Sequence, residues 1–207
     1  MTGLLLKDIL NLKSNFKTLI PITIFYICLL KFLGDEGLYR GIAAFMFANE
    51  AIASFSYDYM AKWDKYALSL PIKRADLVKS KYILAIMYIL LGCIFSFFMD
   101  VILGYFDGTP NILQKLLTAY VFLIFVSIMI SIRIPILYKF GMRKSTIASL
   151  FVIAFPIVLE FVMKKLGVNP LSDNIQLLIL ALSPLILALI IFISCLVSCN
   201  IYNSKEV

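Results

Sequence analysis

Histidine is missing from this 207-residue chain, and tryptophan occurs once, at Trp63. Without an imidazole there is no His-based acid–base pair, no Ser-His-Asp triad and no zinc site of the usual His-containing type. No GxxxxGK[ST] stretch occurs, so the chain has no P-loop to cradle nucleotide phosphates. If ATP drives this protein, another subunit binds it. Charge is scarce too: 15% of residues are charged against 62% hydrophobic, with a mean hydropathy of +0.99. That balance lies far from a soluble domain and implies an integral membrane protein. Cys28, Cys93, Cys195 and Cys199 all sit inside apolar runs, where thiols pack as small hydrophobes; no disulfide framework and no metal site is expected. No cleavable leader pattern stands at the start, so the first span is expected to act as the insertion signal.

What is present in abundance is apolar length. A membrane-crossing helix needs about 20 mainly apolar residues. Six stretches qualify: Lys17 to Leu33, Tyr39 to Tyr57, Tyr82 to Phe106, Ile112 to Ile134, Thr146 to Met163 and Ile175 to Ile201. The fold expected is all-α and integral to the membrane, a single domain over residues 1–207. Of 19 Lys and Arg residues, Lys31, Arg40, Lys115, Lys164 and Lys165 fall on one side of this map and the other fourteen on the opposite side. The positive-inside rule then puts both termini and the segment between spans two and three in the cytoplasm. The net charge of +7 is therefore read as a topology signal and not as a nucleic-acid footprint.

Before the first span, Leu5, Ile9, Leu12 and Phe16 recur at helical spacing with polar residues off the stripe, the pattern of an interfacial helix. In the second span Gly41, Ala44, Ala48 and Ala51 form a small-residue stripe suited to close helix packing, with a second copy of the chain as one candidate partner. Glu50 lies near the middle of that span, where a carboxylate costs about 2.5 to 3.5 kcal/mol, so it must face protein or water. Asp100 and Glu160 lie toward the outer ends of the third and fifth spans. These three carboxylates are the candidates for a translocation path.

The most charged stretch is FSYDYMAKWDKYALSLPIKRADLVKSKY, Phe55 to Tyr82. On a helix Trp63, Tyr66, Ala67 and Leu70 share one face, extended backward by Tyr59 and Met60, while Lys62 and Lys65 point elsewhere. Asp58 is placed at the start of this helix, where its charge suits the dipole, and Pro71 ends it. A second helix follows, with Asp76 in an early turn, and runs into the third span. An interfacial anchor would account for the Trp, Tyr and Lys content. A connecting loop needs only a few residues, however, and the extra length points to a docking element for a cytoplasmic partner.

The runs Ser54-Phe55-Ser56-Tyr57-Asp58, Ala61-Lys62-Trp63-Asp64-Lys65-Tyr66, Ser69-Leu70-Pro71-Ile72, Asp76-Leu77-Val78 and Ser80-Lys81-Tyr82, with Leu4-Leu5-Leu6-Lys7-Asp8 and Leu12-Lys13 near the start, resemble permease subunits of type-2 ATP-binding cassette (ABC) transporters of the small bacterial branch. Tyr59 departs from that pattern, which has an acidic residue after Asp58. The resemblance implies that the segment between spans two and three is the coupling helix, lodged in a groove of a separate ATPase subunit. Trp63, Tyr66 and Leu70 would then be its apolar anchors, with Asp58, Lys62, Asp64, Lys65 and Arg74 as polar partners. It also implies an interfacial helix over Thr2 to Phe16, a smaller ATPase contact in a loop from Arg133 to Ser145, and a unit of two permeases and two ATPases, with ATP and Mg held by the ATPases. The chain itself would bind no cofactor and catalyse no reaction. Exporters of this type carry peptides, including amphipathic antimicrobial ones. Two readings from other classes are a proton-coupled transporter using Glu50, Asp100 and Glu160, and an intramembrane enzyme; the second lacks any convergent nucleophile and base.

Overall fold

The structure is a computed structural model and describes residues 2–34, 38–69, 72–106, 108, 111–165 and 173–204, with some side chains inside the helices left out. Among the described residues the chain is all helical: α1 (Thr2–Lys13), α2 (Phe16–Phe32), α3 (Leu38–Met60), α4 (Trp63–Ser69), α5 (Arg74–Phe106), α6 (Ile112–Phe140), α7 (Met142–Lys165) and α8 (Asp173–Asn203). Among the described residues three helices are long and apolar enough to cross a membrane: α5, α6 and the Leu180–Asn203 part of α8. α2, at 17 residues, qualifies only together with α1, from which it is bent by 61°. α3 carries Arg40, Glu50 and Asp58, and several side chains of α7 lie outside the described residues. The protein is thus a multi-pass helical membrane protein.

Packing divides the chain into two units, residues 1–127 with 206–207 and residues 128–205. In the first, α3 lies against α5 with α1 and α2 alongside. The approach is close because residue 92 is glycine: a Cβ there would stand 2.7 Å from Phe47 Cβ and 2.9 Å from the Ala44 backbone. Ala44, Ala48 and Ala51 are fully buried in the chain, and the ring of Phe122 on α6 covers Gly41. The small-residue stripe of α3 is therefore filled from within the chain by α5 and α6. An aromatic column runs along the contact: Tyr88 stacks on Phe16 (centroids 5.7 Å apart), Phe16 meets Phe47 edge-on at 6.1 Å, and Phe47 stacks on Phe95 at 5.6 Å. Above it Ile27 and Ala43 form a small apolar core with Leu30, Ile42, Met99 and Leu103.

The second unit uses serine where a soluble core would use leucine. Ser131, Ser145, Ser149, Ser194 and Ser198 are all buried, and the Ser194 hydroxyl donates to the Ser131 carbonyl across α8 and α6. Small hydroxyl residues let membrane helices approach closely and satisfy their own polar group. Tyr138 and Tyr202 close the same pair edge-on at 5.4 Å. The stretch expected as a loop from Arg133 to Ser145 is instead almost wholly helical. α6 continues to Phe140, and Gly141, at φ +80°, turns the chain directly into α7, its N–H donating to the Leu137 carbonyl at 2.9 Å. Glycine makes this left-handed helix end cheap, so no loop is needed. Arg133 Nε donates to Ser145 Oγ at 3.2 Å across the turn.

Candidate functional site: the junction of α1, α3, α4 and α5

α3 ends in a tight reversal. The Ala61 and Lys62 amides donate to the carbonyls of Tyr57 (2.9 Å) and Tyr59 (3.1 Å), Lys62 takes φ +49°, and α4 starts one residue later. Asp58 accordingly sits in the last turn of α3 and not at the start of α4, as the sequence suggests. A carboxylate at that end of a helix opposes the dipole, and two cations offset it. Asp58 accepts from Lys7 of α1 at 2.6 Å and from Lys81 of α5 at 2.5 Å. Lys81 also donates to Asp8 of α1 at 3.0 Å and to Ser54 Oγ at 3.1 Å, and Lys7 lies 3.2 Å from Asp8. These four charges alternate in sign and sum to zero. The side chains of Asp8 and Lys81 are 2% and 7% exposed, deep enough for each charge to require the others.

This lattice explains the buried face of α1. The sequence stripe of Leu5, Ile9, Leu12 and Phe16 is replaced by Leu4, Asp8 and Leu12, while Leu6 and Leu10 are exposed. A hydrophobicity pattern cannot register an aspartate on the buried side. Only knowledge of Lys81, 73 residues away, could have placed it there.

α4 is held by Lys7. Lys7 Nζ stands 4.1 Å from the centroid of Trp63, whose half-buried ring packs on Tyr66 at 5.4 Å. Ala67 is buried beneath. Tyr66, Tyr59 and Met60 are exposed by 59%, 83% and 78%, and Lys62 and Lys65 are exposed beside them. Of the expected apolar anchors, Tyr66 is thus outward and Trp63 is engaged by α1. Arg74 opens α5. Leu70 and Pro71 lie outside the described residues, as does the side chain of Asp64.

The candidate path carboxylates are spread apart in role. Glu50 accepts from the Asn15 side-chain amide at 2.8 Å, and the Asn15 oxygen accepts from Tyr57 at 3.0 Å. Asn15 stands at the α1–α2 break, where it makes no side-chain cap for α2 and instead ties the bend to α3. Sequence reasoning missed it, since one asparagine beside a span reads as ordinary boundary polarity. Asp100, expected as a rim residue, is 4% exposed and paired with Arg40 Nε at 3.3 Å. The Glu160 side chain lies outside the described residues. No group of three or more Cys, Asp or Glu residues able to hold a metal occurs among the described residues.

A family model described as ABC-2 family transporter protein matches residues 3–203. The chain belongs to the ABC-2 transporter family. No curated protein and no solved structure matches it. Family membership covers nearly the whole chain, and it makes this protein a membrane component of an ABC transport system, a class that works with ABC ATPases. The junction above joins the exposed face of α4 to α5, one of the helices long and apolar enough to cross a membrane.

Proposed function

We propose that this ABC-2 chain is the permease subunit of an exporter with six spans, on α2, α3, α5, α6, α7 and α8, in the cell membrane with both termini cytoplasmic. α1 lies in the interface, and α4 docks on a separate ATPase subunit that holds ATP and Mg. Two ATPases and a second permease complete the unit, and the cargo is an amphipathic peptide that reaches the path from the bilayer. The observation that carries this reading is the position of α4: a seven-residue helix between α3 and α5, with Tyr59, Met60 and Tyr66 outward and Lys62 and Lys65 on their flank. Aromatic side chains of this kind dominate docking energy when a partner's groove desolvates them, and the lysines suit an acidic rim. Glu50, at the bend between α1 and α2, is proposed to line the path; Asp100, already paired, shapes the outer end of α5.

The test is recovery of the detergent-solubilised complex from native membranes, comparing wild type with Tyr66→Ala combined with Lys65→Ala. An ABC ATPase should be retained by wild type and reduced at least tenfold in the variant, the loss of about 1.4 kcal/mol or more expected of a docking anchor. Equal retention by both proteins removes α4 as the docking element, and no ATPase with wild type removes the exporter reading.

A further inference from the structure

The four-charge lattice has a geometry that simple stabilisation does not require. Lys7 is shared: its ammonium serves the Asp58 carboxylate at 2.6 Å and the Trp63 ring at 4.1 Å. Lys81 is shared as well, between Asp8 on α1 and Asp58 on α3, with Phe55 5.1 Å from its ammonium. α4 is only seven residues long, and Trp63 at its start carries this contact. We propose that Lys7, Asp8, Asp58 and Lys81 form a relay that sets the pose of α4 and passes its displacement to α1 and α5 together, with Lys81 as a positioning residue that never touches α4. The inference rests on the reading of α4 as the docking helix only for its use in transport; the mechanical link stands or falls by itself.

The argument runs through charge balance. With all four groups present, each carboxylate has two cations and each ammonium has two carboxylates. If α4 is pulled from its seat, Trp63 takes its ring away from Lys7. Lys7 then falls back fully onto Asp8 and Asp58, the hold of Lys81 on both weakens, and α1 and the start of α5 feel the change at once. The reverse also holds. Removing Lys81 leaves Lys7 as the single cation for two carboxylates, Asp8 buried and Asp58 partly so, which draws it off the indole. A buried ion pair broken from one side leaves an uncompensated charge that the remaining groups must move to meet, and a shared group is the way such movement spreads.

Trp63 is the only tryptophan, so intrinsic fluorescence of the purified full chain reads α4 alone. In lipid nanodiscs, Lys81→Met should raise the acrylamide quenching constant of Trp63 about twofold, the size expected when a weak cation–π contact is lost, and Lys81→Arg should restore it. Hydrogen exchange of the Thr2–Lys13 segment should quicken in Lys81→Met and return in Lys81→Arg. If Lys81→Met is not monodisperse, Lys81→Gln removes the same charge while keeping a polar group beside Ser54, Lys7 is again the single cation for Asp8 and Asp58, and the same two readouts apply. Wild-type quenching and exchange in a folded variant overturn the relay. ATPase retention is scored on the same wild-type membranes: a shifted Trp63 with no ATPase retained leaves the relay standing and removes the docking reading, whereas retained ATPase with an unmoved Trp63 does the opposite.

Discussion

Lys62 is the one described non-glycine residue with a positive φ, at +49°. A side chain in the left-handed region costs about 1–2 kcal/mol, and glycine avoids that cost while losing more backbone entropy on folding. Lys62→Gly should therefore raise stability by about 0.5–1 kcal/mol, seen as a higher midpoint in a thermal unfolding series read by size-exclusion chromatography. A lower midpoint would mean that the lysine side chain holds the α3–α4 turn. Glu50→Gln is the second test at this scale. The amide keeps an oxygen for Asn15 to donate to, so folding should persist, while resistance of cells to a panel of cationic amphipathic peptides should fall several-fold if the charge lines the path. Unchanged resistance would return Glu50 to a structural role beside Asn15.

Among the elements, the packing of α3 against α5 and α6 depends on two glycines in different ways. At Gly92 a new methyl would meet the Ala44 backbone at 2.9 Å and the root of the Phe47 side chain at 2.7 Å, neither of which can swing aside. At Gly41 the obstacle is the far edge of the Phe122 ring, which can rotate. Gly92→Ala is expected to destabilise by about 1–3 kcal/mol and Gly41→Ala by clearly less; a reversed order in thermal unfolding would show that Phe122 is the more rigid neighbour. The elements also show what a sequence can and cannot convey. Apolar length marks α5, α6 and α8, and Pro71 with Asp76 foretells a fresh helix after α4, which begins at Arg74. Helix ends were less legible. The run from Arg133 to Ser145 is charged enough to suggest a loop, but its charges lie on helices that project past the apolar stretch, and a single glycine makes the turn. The buried face of α1 and the inward turn of Trp63 depend on Lys7, Asp8 and Lys81, pairings between distant segments that no local period encodes.

For the whole molecule, the proposed six-span layout makes a prediction about sides. Gly108 follows α5 and Gly141 follows α6, and both are exposed. If that layout holds, which would put five of the 19 basic residues on one face and fourteen on the other, a cysteine introduced at residue 108 should react with a membrane-impermeant maleimide in intact cells, and one at 141 only after permeabilisation. Reaction of both from outside would overturn the layout. Family membership fixes the kind of machine; the junction of α1, α3, α4 and α5 is only half legible in the sequence, where Asp58 and Trp63 stand out as residues and their partners Lys7, Asp8 and Lys81 do not.

Synthesis of the chain gives the lattice a further consequence. Asp8 and Lys7 leave the ribosome first, Asp58 follows about fifty residues later, and Lys81 comes last, 73 residues after Asp8. Until then the first three helices carry two carboxylates and one cation at a site meant to be buried. Until α5 supplies Lys81, burying that site leaves one carboxylate charge uncompensated, so the closing of α1 against α3 is favoured only once residue 81 has been made.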